Sequence, residues 1–283
     1  MSVDNTSSVT DLLGDPAGLA EYQFRLALDH CAECRDYHSV WPYRRLSRMV
    51  LGIETGADIV GALLGEFTQP NGRILIAGSA DAGLMALTAT ATKDKNPFID
   101  VADRCPTPLA VCRRFAQGQS LRITTLQLDF GSNVRQRRYD VVFVHCIVQF
   151  VPPSLRVEFL RKLGQAMTRQ SALILVERLH TRKEDDPRHR DYAADTLDAL
   201  AAQGIKLPEE ETSFRLRLER IVNARRTRIE HSLSSSELNS CLAGAGFQMR
   251  ELSDRDMQRT IILPSGERGT LQFAVAFPVA TKA

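Results

Sequence analysis

The stretch Arg73-Ile-Leu-Ile-Ala-Gly-Ser-Ala-Asp-Ala-Gly-Leu-Met85 decides the fold. An apolar run leads into a turn of small residues, and an Ala-, Leu- and Thr-rich segment follows. That order reads as a buried strand, a tight loop and a helix in a nucleotide-binding unit. Gly78-x-Ala80-x-x-Gly83 lies one residue from the glycine pattern that seats a pyrophosphate on a helix N-terminus, yet Asp81 stands inside the loop. A carboxylate repels a phosphate and attracts a cation, so the loop suits a ligand that is positively charged at this point.

Working outward, short apolar runs alternate with helical patterns. Strands are expected at 73–78, 97–103, 121–129, 139–146 and 171–179, with helices near 81–92, 106–117 and 154–168. Several strands are apolar on both faces, as in a parallel sheet covered by helices on each side. The alternation predicts a doubly wound α/β domain. Upstream, residues 17–67 read as helical. "GLAEYQFRLALDHCAECRDYH" is expected to be one helix, Pro42 to open a second and "TGADIVGALLGEF" to form a third. Residues 180–232 read as a charged helical insertion. A short capped helix at 234–247 and two apolar runs, 260–264 and 270–278, joined by a turn, predict a closing antiparallel hairpin. The expected division is therefore a polar tail (1–16), a helical cap segment (17–69), a core (70–179), a helical lid insertion (180–232) and a C-terminal part completing the core (233–283).

Composition excludes little beyond extremes. The 283 residues are 43% hydrophobic and 25% charged with a net charge of +2, values of an ordinary globular chain with no bias toward nucleic acid or membrane. No apolar run approaches the ~20 residues that span a bilayer. The first residues lack the order of a secretory signal, so a cytoplasmic location is expected. The six cysteines, Cys31, Cys34, Cys105, Cys112, Cys146 and Cys241, are then expected to be reduced. Cys31 and Cys34 form a C-x-x-C with His30 and His38 close by. On a helical wheel Cys31, Cys34 and His38 share a face with Phe24 and Ala27, which reads as a core stripe, and no metal is expected.

The ordered set of features resembles the class I S-adenosylmethionine-dependent methyltransferases over about 70–278. "AGSADAG" (77–83) stands where that family wraps the methionine part of its cofactor, which implies Gly78, Ser79, Ala80, Asp81 and Gly83 as cofactor contacts. "VADRCPTPL" puts Asp103, followed by Arg104, where the family grips the ribose. "LQLDF" offers Asp129 and Phe130 for the adenine. "YDVVFVHCIVQFVPP" is similar to the family's fourth strand and "ELNSCLAGAGF" to its last helix. The resemblance implies a seven-stranded Rossmann-like sheet and S-adenosyl-L-methionine as cofactor. Two departures stand out: Ile76 replaces the family's usual acid in the first strand, and Ala80 and Ala82 replace glycines. Asp81 either substitutes for the missing acid or caps the helix behind it. A nicotinamide oxidoreductase and a non-catalytic scaffold remain alternatives.

At the end of the fourth strand, where such sheets bind ligands, His145 is a candidate general base and cofactor contact; it can equally serve by packing on the cofactor. Trp41 and three of the five tyrosines, Tyr22, Tyr37 and Tyr43, cluster in the first 43 residues. Tyr37, Trp41, Tyr43 and Gln149 are expected to line a small-molecule acceptor pocket, while docking of an N-terminal helix accounts equally well for Tyr22. In 213–231, Arg225 falls inside the apolar arc of Phe214, Leu218, Ile221, Val222 and Ile229. It meets either an acid of the domain body or an anionic group on the acceptor. Oxygen is preferred over nitrogen or carbon as the attacked atom, in specialised metabolism. No nucleic-acid or membrane partner is expected, and a homodimer stays open.

Overall fold

The computed structural model describes residues 9–50, 52–129, 139–179, 191–228, 233–250, 258–262 and 268–279. Five parallel strands, β1 (Arg73–Ala77), β2 (Phe98–Asp103), β3 (Ile123–Gln127), β4 (Tyr139–His145) and β5 (Met167–Leu179), form the body of one sheet. Three further strands, β6 (Phe247–Arg250), β7 (Gln258–Ile262) and β8 (Arg268–Pro278), are antiparallel. The strand order is β3-β2-β1-β4-β5-β8-β6, and β7 also pairs with β8. The order reverses between β1 and β4, which is the switch point where such sheets bind ligands.

The long β8 carries two short strands on one edge. β6 pairs with its end at Val275–Pro278 and β7 with its start at Arg268–Gln272. The sheet is thus seven columns wide, the last column being split. The expected hairpin is β7 with β8. The four residues of β6 are too few to show a period in the sequence.

Helices α3 (Ala57–Phe67), α4 (Gly83–Ala91) and α5 (Pro106–Gln119) cover one face, where Val60, Leu64, Met85 and Leu109 meet Ile74, Ile76 and Phe143. On the other face α6 (Arg156–Gln165) and α9 (Ser235–Gly244) bring Phe159, Leu163, Leu238 and Leu242 onto Leu75, Val142 and Leu173. Strands enclosed on both sides need apolar residues on both faces, which is why β1 reads as an apolar run from Ile74 to Ala77 and β4 from Val141 to Val144. A capping box between Ser234 and Glu237 fixes the start of α9.

The N-terminal segment departs from the expected layout. Its first helix divides into α1 (Pro16–His30) and α2 (Arg35–Leu46), with the chain extended at Cys31. Pro42 lies inside α2 instead of opening a helix. A proline there leaves the carbonyl of His38 without its helical donor, and the buried Gln23 Nε2 replaces it at 3.0 Å. The expected tail is also shorter: residues 1–8 lie outside the described part, but Val9 is buried against the main core.

Two helices after β5, α7 (Tyr192–Ala202) and α8 (Glu211–Arg228), pack on α1 and α2. Phe24, Tyr43, Leu197, Leu200, Phe214 and Leu218 form their shared core. The N-terminal segment and the insertion are therefore one cap with its own apolar centre. Arg217 sits at its edge, ion-paired with Glu209 and with Asp36. Tyr22, facing the main core, takes the Arg114 guanidinium over its ring at 4.3 Å, which is the docking role. No helix among the described residues is long and apolar enough to cross a membrane.

Candidate functional site

The loop after β1 turns sharply. Gly78 has φ +86°, and a Cβ there would lie 2.5 Å from the Ile147 side chain, so only glycine fits. Its N–H donates to the Ala102 carbonyl on β2. Ser79 follows, buried, with its hydroxyl on the Asp81 carbonyl and its N–H on Asp103. The Ala80 carbonyl accepts from Gln23 Nε2 at 2.8 Å, so one buried amide joins the cap to the loop.

Asp81 stands one residue before the Ala82 N-cap of α4, and its Oδ1 accepts the Gly83 N–H at 2.7 Å. The same oxygen meets Arg45 Nη1 at 2.5 Å, and Oδ2 accepts from the Trp41 indole at 3.1 Å. Arg45 is buried and also paired with Glu54 at 2.7 Å. Burial opposes its charge, while Asp81 and Glu54 restore it and raise its pKa. Its Nη2 has no partner among the described residues. Gly83 lies directly under this guanidinium, and a Cβ would come within 2.1 Å of Nη1. Arg45 was absent from the sequence-derived site. In the run "YRRLSRM" it resembles surface charge, and nothing local marks it as buried.

Asp103 ends β2. Its Oδ2 accepts from Ser79 N at 3.0 Å and its Oδ1 from Cys105 N at 2.7 Å. Burial raises its pKa, against those two hydrogen bonds. Arg104 beside it is exposed and presents its backbone carbonyl to Gln127. Asp129 lies just past β3 and is exposed; Phe130 falls outside the described residues.

His145 ends β4, as expected. Burial and the nearby Arg45 charge pull its pKa down to about 4, so the ring is neutral at pH 7. Its Nε2 is enclosed and without a partner among the described residues. The next residues, Ile147 and Val148, donate their N–H groups to Glu177 Oε1 at 2.9 Å each. Glu177, fully buried on β5, is pushed by burial up to about 7. It too escaped sequence reasoning, although a lone acid within "LILVERL" was a visible signal. Gln149 uses its side-chain amide on the Cys146 carbonyl.

The expected acceptor-pocket residues separate. Tyr37 and Trp41 stack at 5.4 Å, with Trp41 reaching Asp81. Tyr43 does not join them: it is buried between Phe24 and Phe214 in the cap's core, because α2 turns that face toward α8. Arg225 lies on α8, and its side chain falls outside the described residues. The Cys31–Cys34–His38 stripe is also corrected. The break between α1 and α2 keeps Cys31 beside Ala27 but turns these side chains onto Cys105, so they do not form one continuous helical face.

No protein-family model matches the chain. A carboxy-S-adenosyl-L-methionine synthase of Ectopseudomonas mendocina is 30% identical over 151 residues, 51% of this chain and 60% of that protein. Another, from Dichelobacter nodosus, is 26% identical over 57% of this chain and 71% of that protein. The chain thus spans about three-fifths of the length of the first of these relatives. Among solved structures, one from Bacillus halodurans described as a "putative methyltransferase" matches with TM-score 0.51 and 13% identity, over 80% of this chain and all of that one. A protein of Bordetella parapertussis described as a possible exported protein matches with TM-score 0.53 and 14% identity, over 99% of this chain and all of that one. The fold is the doubly wound Rossmann-like fold of methyltransferases, and the likeness to proteins named for S-adenosylmethionine, expected from the ordered features, is found in sequence as well.

Proposed function

We propose that the chain is an S-adenosylmethionine-dependent methyltransferase acting on a small-molecule acceptor. The observation that carries this reading is the buried Arg45–Asp81 pair on the loop at the switch point, with Arg45 Nη2 and His145 Nε2 left without partners among the described residues. The methionine end of the cofactor is an α-amino acid, with one carboxylate and one ammonium. A guanidinium beside a carboxylate is complementary to both, with Arg45 Nη2 facing the former and Asp81 the latter. Asp103 spends two acceptor sites on Ser79 and Cys105 and keeps others for the ribose hydroxyls. The missing acid at Ile76 is then made good from the loop and the cap instead of the strand.

The cofactor supplies a methyl group on a positively charged sulfur. What the chain must do is align the acceptor and exclude water. The cap supports both: α2 brings Tyr37 and Trp41 over the loop, and an aromatic wall with polar tips suits a planar or hydroxylated small molecule. His145, neutral at pH 7 and with its enclosed Nε2 lacking a partner among the described residues, is able to accept a proton from an acceptor hydroxyl, which favours oxygen as the attacked atom. Arg225 on the lid helix remains the proposed contact for an anionic acceptor.

The name of the sequence relatives raises a second reading, in which the chain makes or uses an S-adenosylmethionine bearing an extra carboxy group. Arg45 Nη2, without a partner among the described residues, faces the methionine carboxylate in either reading, so the product and not the seat of the cofactor separates the two. Calorimetry with S-adenosylhomocysteine and with NAD(H), followed by mass analysis of products from labelled S-adenosylmethionine and a metabolite panel, tests both. Binding of S-adenosylhomocysteine with a gain of one methyl on an acceptor is the expected result. NAD(H) binding alone overturns the reading, and so does binding of neither ligand; a carboxylated cofactor as product selects the second reading.

A further inference from the structure

Cys31 and Cys34 frame the break between α1 and α2, His38 lies one turn into α2, and Cys105 immediately precedes α5. The ligand atoms of these four side chains lie within 4.8 Å of one another. Cys31 Sγ is 3.3 Å from Cys105 Sγ and 3.5 Å from His38 Nδ1, and Cys34 Sγ is 3.6 Å from Cys105 Sγ. All the cysteines are free thiols, and Cys31, His38 and Cys105 are buried. We propose that Cys31, Cys34, His38 and Cys105 bind one structural zinc ion that fastens the cap to the core.

Geometry supports the assignment. Zinc bonds sulfur at about 2.3 Å and nitrogen at about 2.0–2.1 Å, so a tetrahedral ion sets sulfurs about 3.8 Å apart and sulfur about 3.5 Å from nitrogen. The distances here are within about half an ångström of those edges. The donor set agrees as well: three soft thiolates with one imidazole select zinc over magnesium or calcium. With four protein ligands no position stays open for water or substrate, which marks a structural site and not a catalytic one. Thr107 Oγ1, 3.1 Å from Cys31 Sγ, is placed to hydrogen-bond a metal-bound thiolate.

Packing alone does not account for the cluster. Its apolar members are Ala27, Cys31 and Cys105, with Cys34 against them, and they bury little hydrophobic area. Thiols are weak donors and weak acceptors, so three of them with an imidazole satisfy one another poorly. The turn between the helices presents the C-x-x-C, and α2 adds His38 on the same side. Cys105 arrives from the far end of β2, over seventy positions later in the chain. That residue also donates its N–H to Asp103. The ion would therefore tie the cap to the peptide that carries the proposed ribose acid.

Metal content of the full chain tests this without reference to activity. Protein produced with zinc and purified without chelators should carry about one zinc per chain by mass spectrometry of the elements. Cys34→Ser and Cys105→Ser should each fall below about a tenth of that, while Cys241→Ser, outside the cluster, keeps it. Cobalt exchanged into the wild-type chain should give the intense visible bands of a tetrahedral thiolate site, absent in Cys34→Ser. Because Cys34 is only partly buried, its variant keeps the test readable if Cys105→Ser fails to fold. Folded wild-type chain that holds no zinc and takes up none on titration overturns the proposal. So does a Cys31–Cys105 disulfide in freshly purified protein, or zinc retained at full stoichiometry in Cys34→Ser.

Discussion

Arg45 and Asp81 meet at 2.5 Å although 36 residues and a change of domain element separate them. One comes from the second cap helix and the other from the loop after the first strand. Their pairing brings the cap and the loop after β1 together around a charge that neither could bury alone.

Removing one member should therefore act on two measurements at once. Asp81→Asn keeps the acceptor for Gly83 and leaves Arg45 with Glu54 only. We expect a loss of roughly 3 kcal/mol, the cost of breaking a buried pair from one side, read in denaturant melts. Calorimetry should show S-adenosylhomocysteine affinity weakened at least about tenfold. Lowered stability with unchanged affinity would separate Asp81 from the cofactor and leave it a structural partner of Arg45 and Gly83.

Asp103→Ala removes the acceptor for Ser79 and Cys105 together with the proposed ribose contacts. Hydrogen bonds to a charged group contribute about 1.5–3 kcal/mol each, so the affinity for S-adenosylhomocysteine should drop by a factor of ten or more. Asp103→Asn retains an acceptor oxygen and should lie between the two. Equal affinity in all three proteins would remove the ribose assignment.

His145→Ala should depress kcat far more than cofactor affinity. The imidazole is held at about 4, so the base stays unprotonated across neutral pH and kcat should be flat from about pH 6 upward. A kcat that falls with a midpoint near 6.5 would mean an unperturbed histidine, and undiminished kcat in the variant would end the base role.

Glu177 makes stability depend on pH. Its carboxyl, near 4.5 when unfolded, rises to about 7 in the fold, so the folded chain binds the extra proton between those values. Its stabilising contribution is complete below about 4.5 and is lost as pH climbs through about 7, by roughly 3 kcal/mol over the window. Opposite it across the β5–β8 pair lies Gln272, whose buried Oε1 also has no partner among the described residues. Glu177→Gln supplies a permanent amide donor while its carbonyl still accepts from Ile147 and Val148. The variant should melt higher than the parent at pH 8.5 and about equally at pH 5. A higher melting point at both pH values would show that titration of Glu177 is not the cause.

The amino-acid sequence by itself determined the order of the elements. The apolar runs at 74–77 and 141–144 have no amphipathic alternative, so they become enclosed strands, and the loop between β1 and α4 follows from Gly78. Asp103 and His145 were legible because a strand's end is a fixed address at the ligand-binding edge. Arg45, Gln23 and Glu177 were not, since each gains its meaning from a partner on another element: Asp81, the freed carbonyl of His38, and the N–H groups of Ile147 and Val148. Tyr43 went the other way, from expected pocket lining to cap core, when α8 folded over it. The cysteines show the limit most plainly. A periodic stripe on one imagined helix became two helix ends, and only the return of the chain at Cys105 completed the set, because burial and coordination depend on distances in space that local periodicity does not encode.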